Sequence, residues 1–249
     1  MFTVEERDRV RDHMLELARG DARVVAGAEV GSLALGGGDR WSDLDLTFGI
    51  TDGVAVTEIL DDWTRDLVSR FDAVHLFDLV ADSTVYRVFL LAEYLQLDVS
   101  VAPASKFRST SPRFKLLFGE ANEPEYSRPP SRDHTLGWAV LWARHARICI
   151  EREHWWQAEY CITHLRCCGM ELACLRHDLP ASYGRGFDRL PAEDRDAFEG
   201  AIMRSLDRDE LLGGLTVGVK GLLRECELGD DNGRIRRRLR ELAGLELDA

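Results

Sequence analysis

No apolar run in this 249-residue chain approaches the roughly 18 to 20 residues of a membrane span. The first twenty residues, MFTVEERDRVRDHMLELARG, are charged and amphipathic and lack the apolar stretch of a signal peptide. Both absences predict a cytoplasmic protein. Positive charge is scarce, with 32 Lys and Arg against 44 Asp and Glu, a formal net charge of -12, and lysine only at Lys106, Lys115 and Lys220. A surface of that sign repels phosphate backbones and anionic lipid, so neither a nucleic acid nor a membrane is expected as partner. Cysteine is missing from the first half. All six (Cys149, Cys161, Cys167, Cys168, Cys174 and Cys226) fall in helix-like sequence of the second half. A secreted disulfide framework is not distributed that way, so the thiols are read as reduced. Repeats and low-complexity tracts are absent, and 45% hydrophobic with 31% charged residues excludes disorder, collagen and coiled coil.

What is present divides in two. Residues 1–126 hold 13 basic and 23 acidic side chains, whereas residues 127–249 hold 19 and 21, so the acidity is concentrated in the first half. Helical spacing of apolar residues over 4–18 and 55–70 alternates with short β-type runs at 23–30, 44–50, 73–80, 84–91 and 95–102. The last two runs are separated by Ala92, Glu93 and Tyr94, a length suited to a hairpin. This predicts an α+β domain, a mixed sheet flanked by helices, over residues 1–126. Pro124, Pro129 and Pro130 mark the boundary. Apolar stripes at 133–152, 155–178, 191–205, 208–227 and 233–243 then predict a C-terminal helical bundle over 127–249, with turns at 179–180, 183–186 and 229–233.

The chemistry concentrates between the first two strand runs. Gly31-Ser32 is followed after a glycine-rich spacer by Ser42-Asp43-Leu44-Asp45-Leu46. Side chains alternate along a strand, so Asp43 and Asp45 share a face while Leu44 and Leu46 enter the core. Two carboxylates one pleat apart repel each other, and a divalent cation relieves them. Hard oxygen ligands that leave sites for water and phosphate suit Mg²⁺. Asp98, in Leu95-Gln96-Leu97-Asp98-Val99-Ser100-Val101, supplies a third acid among apolar neighbours, with Gln96 and Ser100 on its face. Gly31 permits close backbone approach, and the Ser32 hydroxyl with nearby N–H groups is suited to phosphate oxygens. Three carboxylates and a phosphate cradle describe two-metal, in-line transfer at phosphorus. The run Gly36 to Ser42 lacks the Gly-Lys-Ser/Thr ending of a P-loop and does not match the Gly-x-Gly-x-x-Gly dinucleotide pattern.

Gly31, Ser32, Ser42, Asp43, Leu44, Asp45 and Leu46, with the distant Asp98, resemble the motif of the DNA-polymerase-β-like nucleotidyltransferase superfamily. The layout, a catalytic domain followed by a helical substrate-binding bundle, looks most like the bacterial aminoglycoside and lincosamide nucleotidyltransferases. The resemblance implies that Asp43, Asp45 and Asp98 hold two Mg²⁺ and that Gly31, Ser32 and Ser42 lie at the triphosphate. It further implies that the hydroxyl of a small acceptor attacks the α-phosphate of a nucleoside triphosphate, with ATP as the expected donor. The excess of acid in the first half tilts the expected acceptor toward a cationic one. A monomer or homodimer is expected.

Other roles are assigned more widely. Arg113 and Lys115 are candidates for phosphate contact. A general base is sought among Asp133, Glu151, Glu153 and Glu159, and Glu159, set between Trp155, Trp156 and Tyr160, is the choice. Trp138, Trp142, Trp155 and Trp156 read as core packing, with one or two available to line a pocket. The Cys and His residues of 161–177 lack the spacing of a structural zinc site. Two alternative functions keep the fold: modification of a protein hydroxyl by a toxin-antitoxin type nucleotidyltransferase, or a degenerate nucleotide-binding protein without activity. The Arg147-x6-His154 spacing resembles that of HEPN ribonucleases and is a coincidence of arginine-rich helices.

Overall fold

The structure, a computed structural model, describes residues 1–126, 130–228 and 233–245. The expected junction after residue 126 and the turn at 229–232 fall on residues outside that set. The chain forms two compact units, Met1–Arg128 and Pro129–Ala249.

The first unit opens with α1 (Val4–Gly20), started by a capping box in which the Thr3 hydroxyl accepts from the Glu6 N–H and the Glu6 carboxylate accepts from the Thr3 N–H. Next come β1 (Val24–Val30), β2 (Leu44–Ile50), α2 (Val56–Phe71), β3 (Val74–Ala81), β4 (Thr84–Leu90), β5 (Gln96–Pro103) and β6 (Phe114–Phe118). The six strands make one sheet in the order β3-β4-β5-β2-β1-β6. The β2–β5 pair is parallel and the other pairs are antiparallel, as a mixed sheet requires. Alternation assigns the two faces. Leu44, Leu46, Phe48 and Ile50 of β2, with Phe89, Leu97, Val99 and Val101, point to the side where Val10, Met14 and Ala18 of α1 meet Ile59, Leu60, Trp63 and Leu67 of α2. Both helices cover that face. The opposite face carries Asp45, Thr47, Asp98 and Ser100, with Phe107 closing over Ala26 and Ala28 at one end.

β6 was not anticipated from the sequence, which places no strand between 103 and 119. Its five residues, Phe-Lys-Leu-Leu-Phe, form the edge of the sheet against β1. Gly119 ends it at φ 76°, where a Cβ would stand 2.1 Å from the Val25 carbonyl oxygen.

The second unit contains α3 (Arg132–Glu151), α4 (Trp155–Arg176), α5 (Ala192–Glu199), α6 (Arg208–Leu228) and α7 (Gly233–Ala243). Its core joins Ala139, Ala143, Ala146 and Ile150 to Ile162, Leu165 and Leu172 and to Leu211, Leu215, Val219 and Leu222. Glycines permit the closest approaches: a Cβ on Gly169 or Gly221 would meet the Phe198 ring at 2.3 or 2.4 Å. The helix expected over 191–205 stops at Glu199. Gly200 closes it, and Asp207, whose carbonyl accepts from the Leu211 N–H, begins the next helix.

Candidate active site

The parallel register sets Asp45 of β2 directly beside Asp98 of β5. Neighbouring residues in a sheet ladder share a face, so both carboxylates project from the side that the helices leave uncovered. Asp43 immediately precedes β2 and returns to the same face, two residues before Asp45. One carboxylate oxygen from each of the three lies within 4.8 Å of the others. Among the described residues this is the one group of three or more His, Cys, Asp and Glu side chains close enough to share an ion. All three residues are half-buried.

Electrostatics fit that crowding. Desolvation raises the Asp98 carboxyl above the usual carboxylate range and the charge of Asp43 adds to the rise, against hydrogen bonds from Gln96. The Gln96 amide donates to both Asp98 oxygens, at 3.0 and 3.1 Å, as expected for residues on one strand face. A cation between the acids would remove the repulsion that Asp98 experiences.

The loop after β1 completes the site. Gly31 has φ 73°, and its N–H donates to the Arg113 carbonyl at 3.2 Å. A Cβ built there would stand 2.0 Å from the Asp45 Oδ2 and 2.9 Å from its Cγ. The absence of a side chain at Gly31 therefore lets the Asp45 carboxylate lie against the loop backbone. The Ser32 hydroxyl is buried without a hydrogen-bond partner among the described residues. A buried hydroxyl left unpaired costs free energy, and a ligand oxygen would satisfy it. Hard carboxylate oxygens, a glycine cradle and an orphaned hydroxyl suit Mg²⁺ with a phosphate-bearing ligand.

The Ser42 hydroxyl belongs to the turn before Asp43: it accepts from the Asp39 N–H at 3.0 Å and meets the Asp39 carboxylate at 3.3 Å. Lys115 stands opposite Glu29, and Glu29 stands opposite Leu46. Antiparallel partners share a face, so Lys115 belongs to the helix-covered side with Leu46, away from Asp45 and Asp98. Arg113 has an exposed side chain, and its backbone touches the site through Gly31. Glu159 is half-buried on α4 in the second unit and accepts a 2.8 Å hydrogen bond from the Thr163 hydroxyl.

The tryptophans depart from a uniform core stripe. Trp142 and Trp155 pack against the bundle core, but Trp138 is 45% and Trp156 78% exposed. Trp138 stacks on Trp142 with ring centroids 5.9 Å apart. Cys149, Cys161, Cys174 and Cys226 are buried and Cys167 and Cys168 half-buried, and desolvation pushes the Cys161 thiol up to about 11 and Cys168 up to about 12. Sequence reasoning missed Arg7 of α1. Its Nη1 donates to the carbonyls of Asp39 and Ser42 at 2.8 and 3.1 Å. Both partners are backbone carbonyls, which no sequence pattern marks.

In comparisons with known proteins, no family model and no curated protein matches the chain. Among solved structures, it is similar to the crystal structure of an aminoglycoside 6-adenyltransferase from Bacillus subtilis, with 10% sequence identity and a TM-score of 0.33, over 96% of this chain and 91% of that one.

Proposed function

We propose that the protein is a Mg²⁺-dependent nucleotidyltransferase that moves a nucleoside monophosphate, AMP from ATP, to a hydroxyl of a small cationic acceptor such as an aminoglycoside, with a lincosamide as a further acceptor class. The observation that carries this reading is the convergence of Asp43, Asp45 and Asp98 within 4.8 Å beside a loop shaped by Gly31 and Ser32. The three carboxylates would hold the metal ions, which when bound neutralise charge on the phosphates and lower the proton affinity of the attacking oxygen. Ser32 donates its hydroxyl hydrogen to a phosphate oxygen, and Gly31 keeps the space beside Asp45 clear. The acceptor hydroxyl loses its proton as its oxygen attacks, and a carboxylate base takes that proton up. The surplus of acid in residues 1–126 supports a cationic acceptor.

The test incubates the protein with α-labelled ATP, Mg²⁺ and a panel of aminoglycosides and lincosamides. Pyrophosphate release is followed together with the mass gain of one nucleotide on the acceptor. Turnover is expected for at least one acceptor and is expected to vanish in Asp43→Asn. A protein that releases no pyrophosphate with any acceptor, and whose Mn²⁺ binding is unchanged by Asp43→Asn, would sink the proposal. Label transferred to a protein instead would move the reading to protein modification.

A further inference from the structure

Asp45 and Asp98 sit in adjacent, hydrogen-bonded strands, but Asp43 lies one residue before β2 begins. The sheet ladder therefore fixes two of the three carboxylates and leaves the third at the end of the glycine-rich loop. That loop contains Gly36 at φ 72°, followed by Gly37 and Gly38, so its own backbone does little to hold Asp43. Its last turn is nonetheless tightly closed. The Trp41 N–H donates to the Asp39 carboxylate at 2.8 Å, the Asp39 N–H donates to the Ser42 hydroxyl at 3.0 Å, and the Ser42 N–H donates to the Asp39 carbonyl at 3.3 Å. Arg7 then fastens this closed turn to α1 through the two carbonyls that begin and end it.

We infer that Arg7 is the positioning residue of the acidic triad: its guanidinium anchors the Asp39–Ser42 turn and thereby places Asp43 against Asp45 and Asp98. This rests on the reading of the triad as a metal site. Three features separate Arg7 from an ordinary surface arginine. It is 6% exposed, so its charge is desolvated. Its Nε has no hydrogen-bond partner, so among the described residues the bonds recorded for this side chain run to the loop. It occupies the first turn of α1, where a cation opposes the helix dipole and gains nothing locally. A cation kept at such a position is explained by what it holds.

The experiment measures Mn²⁺ affinity of the full chain by electron paramagnetic resonance for wild type, Arg7→Met, Arg7→Lys and Asp43→Asn, with circular dichroism and melting curves reporting the fold. Arg7→Met is expected to keep its secondary structure and to bind Mn²⁺ about ten-fold more weakly, the scale of one charge-assisted hydrogen bond. Arg7→Lys, which keeps charge and a donor, is expected to recover part of the loss. Side-chain NMR of the unsubstituted protein supplies a second reading that does not depend on how the variants fold: saturation with Mg²⁺ is expected to shift the Arg7 Nε–Hε resonance and to slow exchange of the Trp41 and Ser42 amides. Wild-type Mn²⁺ affinity in folded Arg7→Met, or an Arg7 resonance unmoved by saturating Mg²⁺, overturns the inference. Wild-type binding that Asp43→Asn leaves untouched overturns the metal-site reading instead, so the two failures are distinguishable.

Discussion

Gly31 and Gly36 allow the role of the loop to be separated from its backbone strain. They have nearly the same dihedral, φ 73° and 72°, so alanine imposes the same left-handed penalty at both. That penalty is about 1 to 2 kcal/mol. Their surroundings differ completely. Nothing lies within 4 Å of a Cβ at Gly36, whereas at Gly31 it would fall 2.0 Å from the Asp45 Oδ2. A carbon and a carboxylate oxygen in ordinary contact stand more than 3 Å apart, so the Asp45 side chain must move by about an ångström or leave its rotamer, at a further cost of about 1 kcal/mol. Gly36→Ala is therefore expected to lower the melting temperature by roughly 3 to 8 °C, and Gly31→Ala by a few degrees more. Stability is the smaller difference. Displacing one of three ligands should weaken Mn²⁺ binding by Gly31→Ala at least ten-fold and leave Gly36→Ala within about two-fold of wild type, because 1.4 kcal/mol is a factor of ten. Calorimetric melting and Mn²⁺ titration of the two variants side by side provide the assay. Equal metal affinities for the two would refute the argument that Gly31 exists to admit Asp45.

The raised proton affinity of Asp98 gives a pH dependence of definite sign. A carboxyl that titrates higher in the folded state than its unfolded value of about 3.9 makes the folded protein bind more protons, so in chelator the stability it contributes declines as pH rises from about 4 through the raised value. Asp98→Asn should remove that contribution, equal or exceed wild type in stability above it, and lose the stabilisation that Mg²⁺ is expected to give at the proposed site; a pH profile unchanged by Asp98→Asn would contradict the assignment. In the second unit, the fully buried Asp194 carboxylate works against desolvation, yet hydrogen bonds from His177 at 2.7 Å and Arg176 at 2.9 Å leave it below the usual carboxylate range. Its contribution is complete above about 4 and is lost as pH falls through the lowered value, and Asp194→Ala, which removes the carboxylate shared by Arg176, His177 and Arg224 while leaving Arg176 on Glu225, should cost about 2 kcal/mol in urea unfolding.

Most of the candidate site was legible because it is written in local period. Asp43-Leu44-Asp45-Leu46 alternates acid and leucine, and on any strand with one covered face that pattern exposes the acids and buries the leucines, as Leu44 and Leu46 do. Asp98 was found by the same rule, and the Gln96 amide that shares its face hydrogen-bonds to it. Register was not legible. That Asp45 stands beside Asp98, rather than one pleat along, depends on how β2 and β5 pair across fifty residues of intervening chain, which no local pattern encodes. The second-half helices followed their apolar stripes, except over 191–205, where Gly200 and Asp207 supplied stop and start signals that a stripe alone does not register.

Lys115 shows what one-dimensional reasoning about charge leaves open. A lysine twelve residues beyond the end of β5, in a chain with only three, looks placed for a phosphate. Its side is decided, however, by two successive pairings, Lys115 with Glu29 and Glu29 with Leu46, each of which preserves the face. Leu46 is core, so Lys115 belongs to the helix side of the sheet. The same logic explains why Arg7 escaped notice. Its function is not a property of α1 but of the carbonyls of Asp39 and Ser42 more than thirty residues away, and backbone acceptors leave no trace in composition. Charges that meet carboxylates can be guessed from pairs of opposite sign, whereas a charge that meets backbone is visible only once the chain has folded.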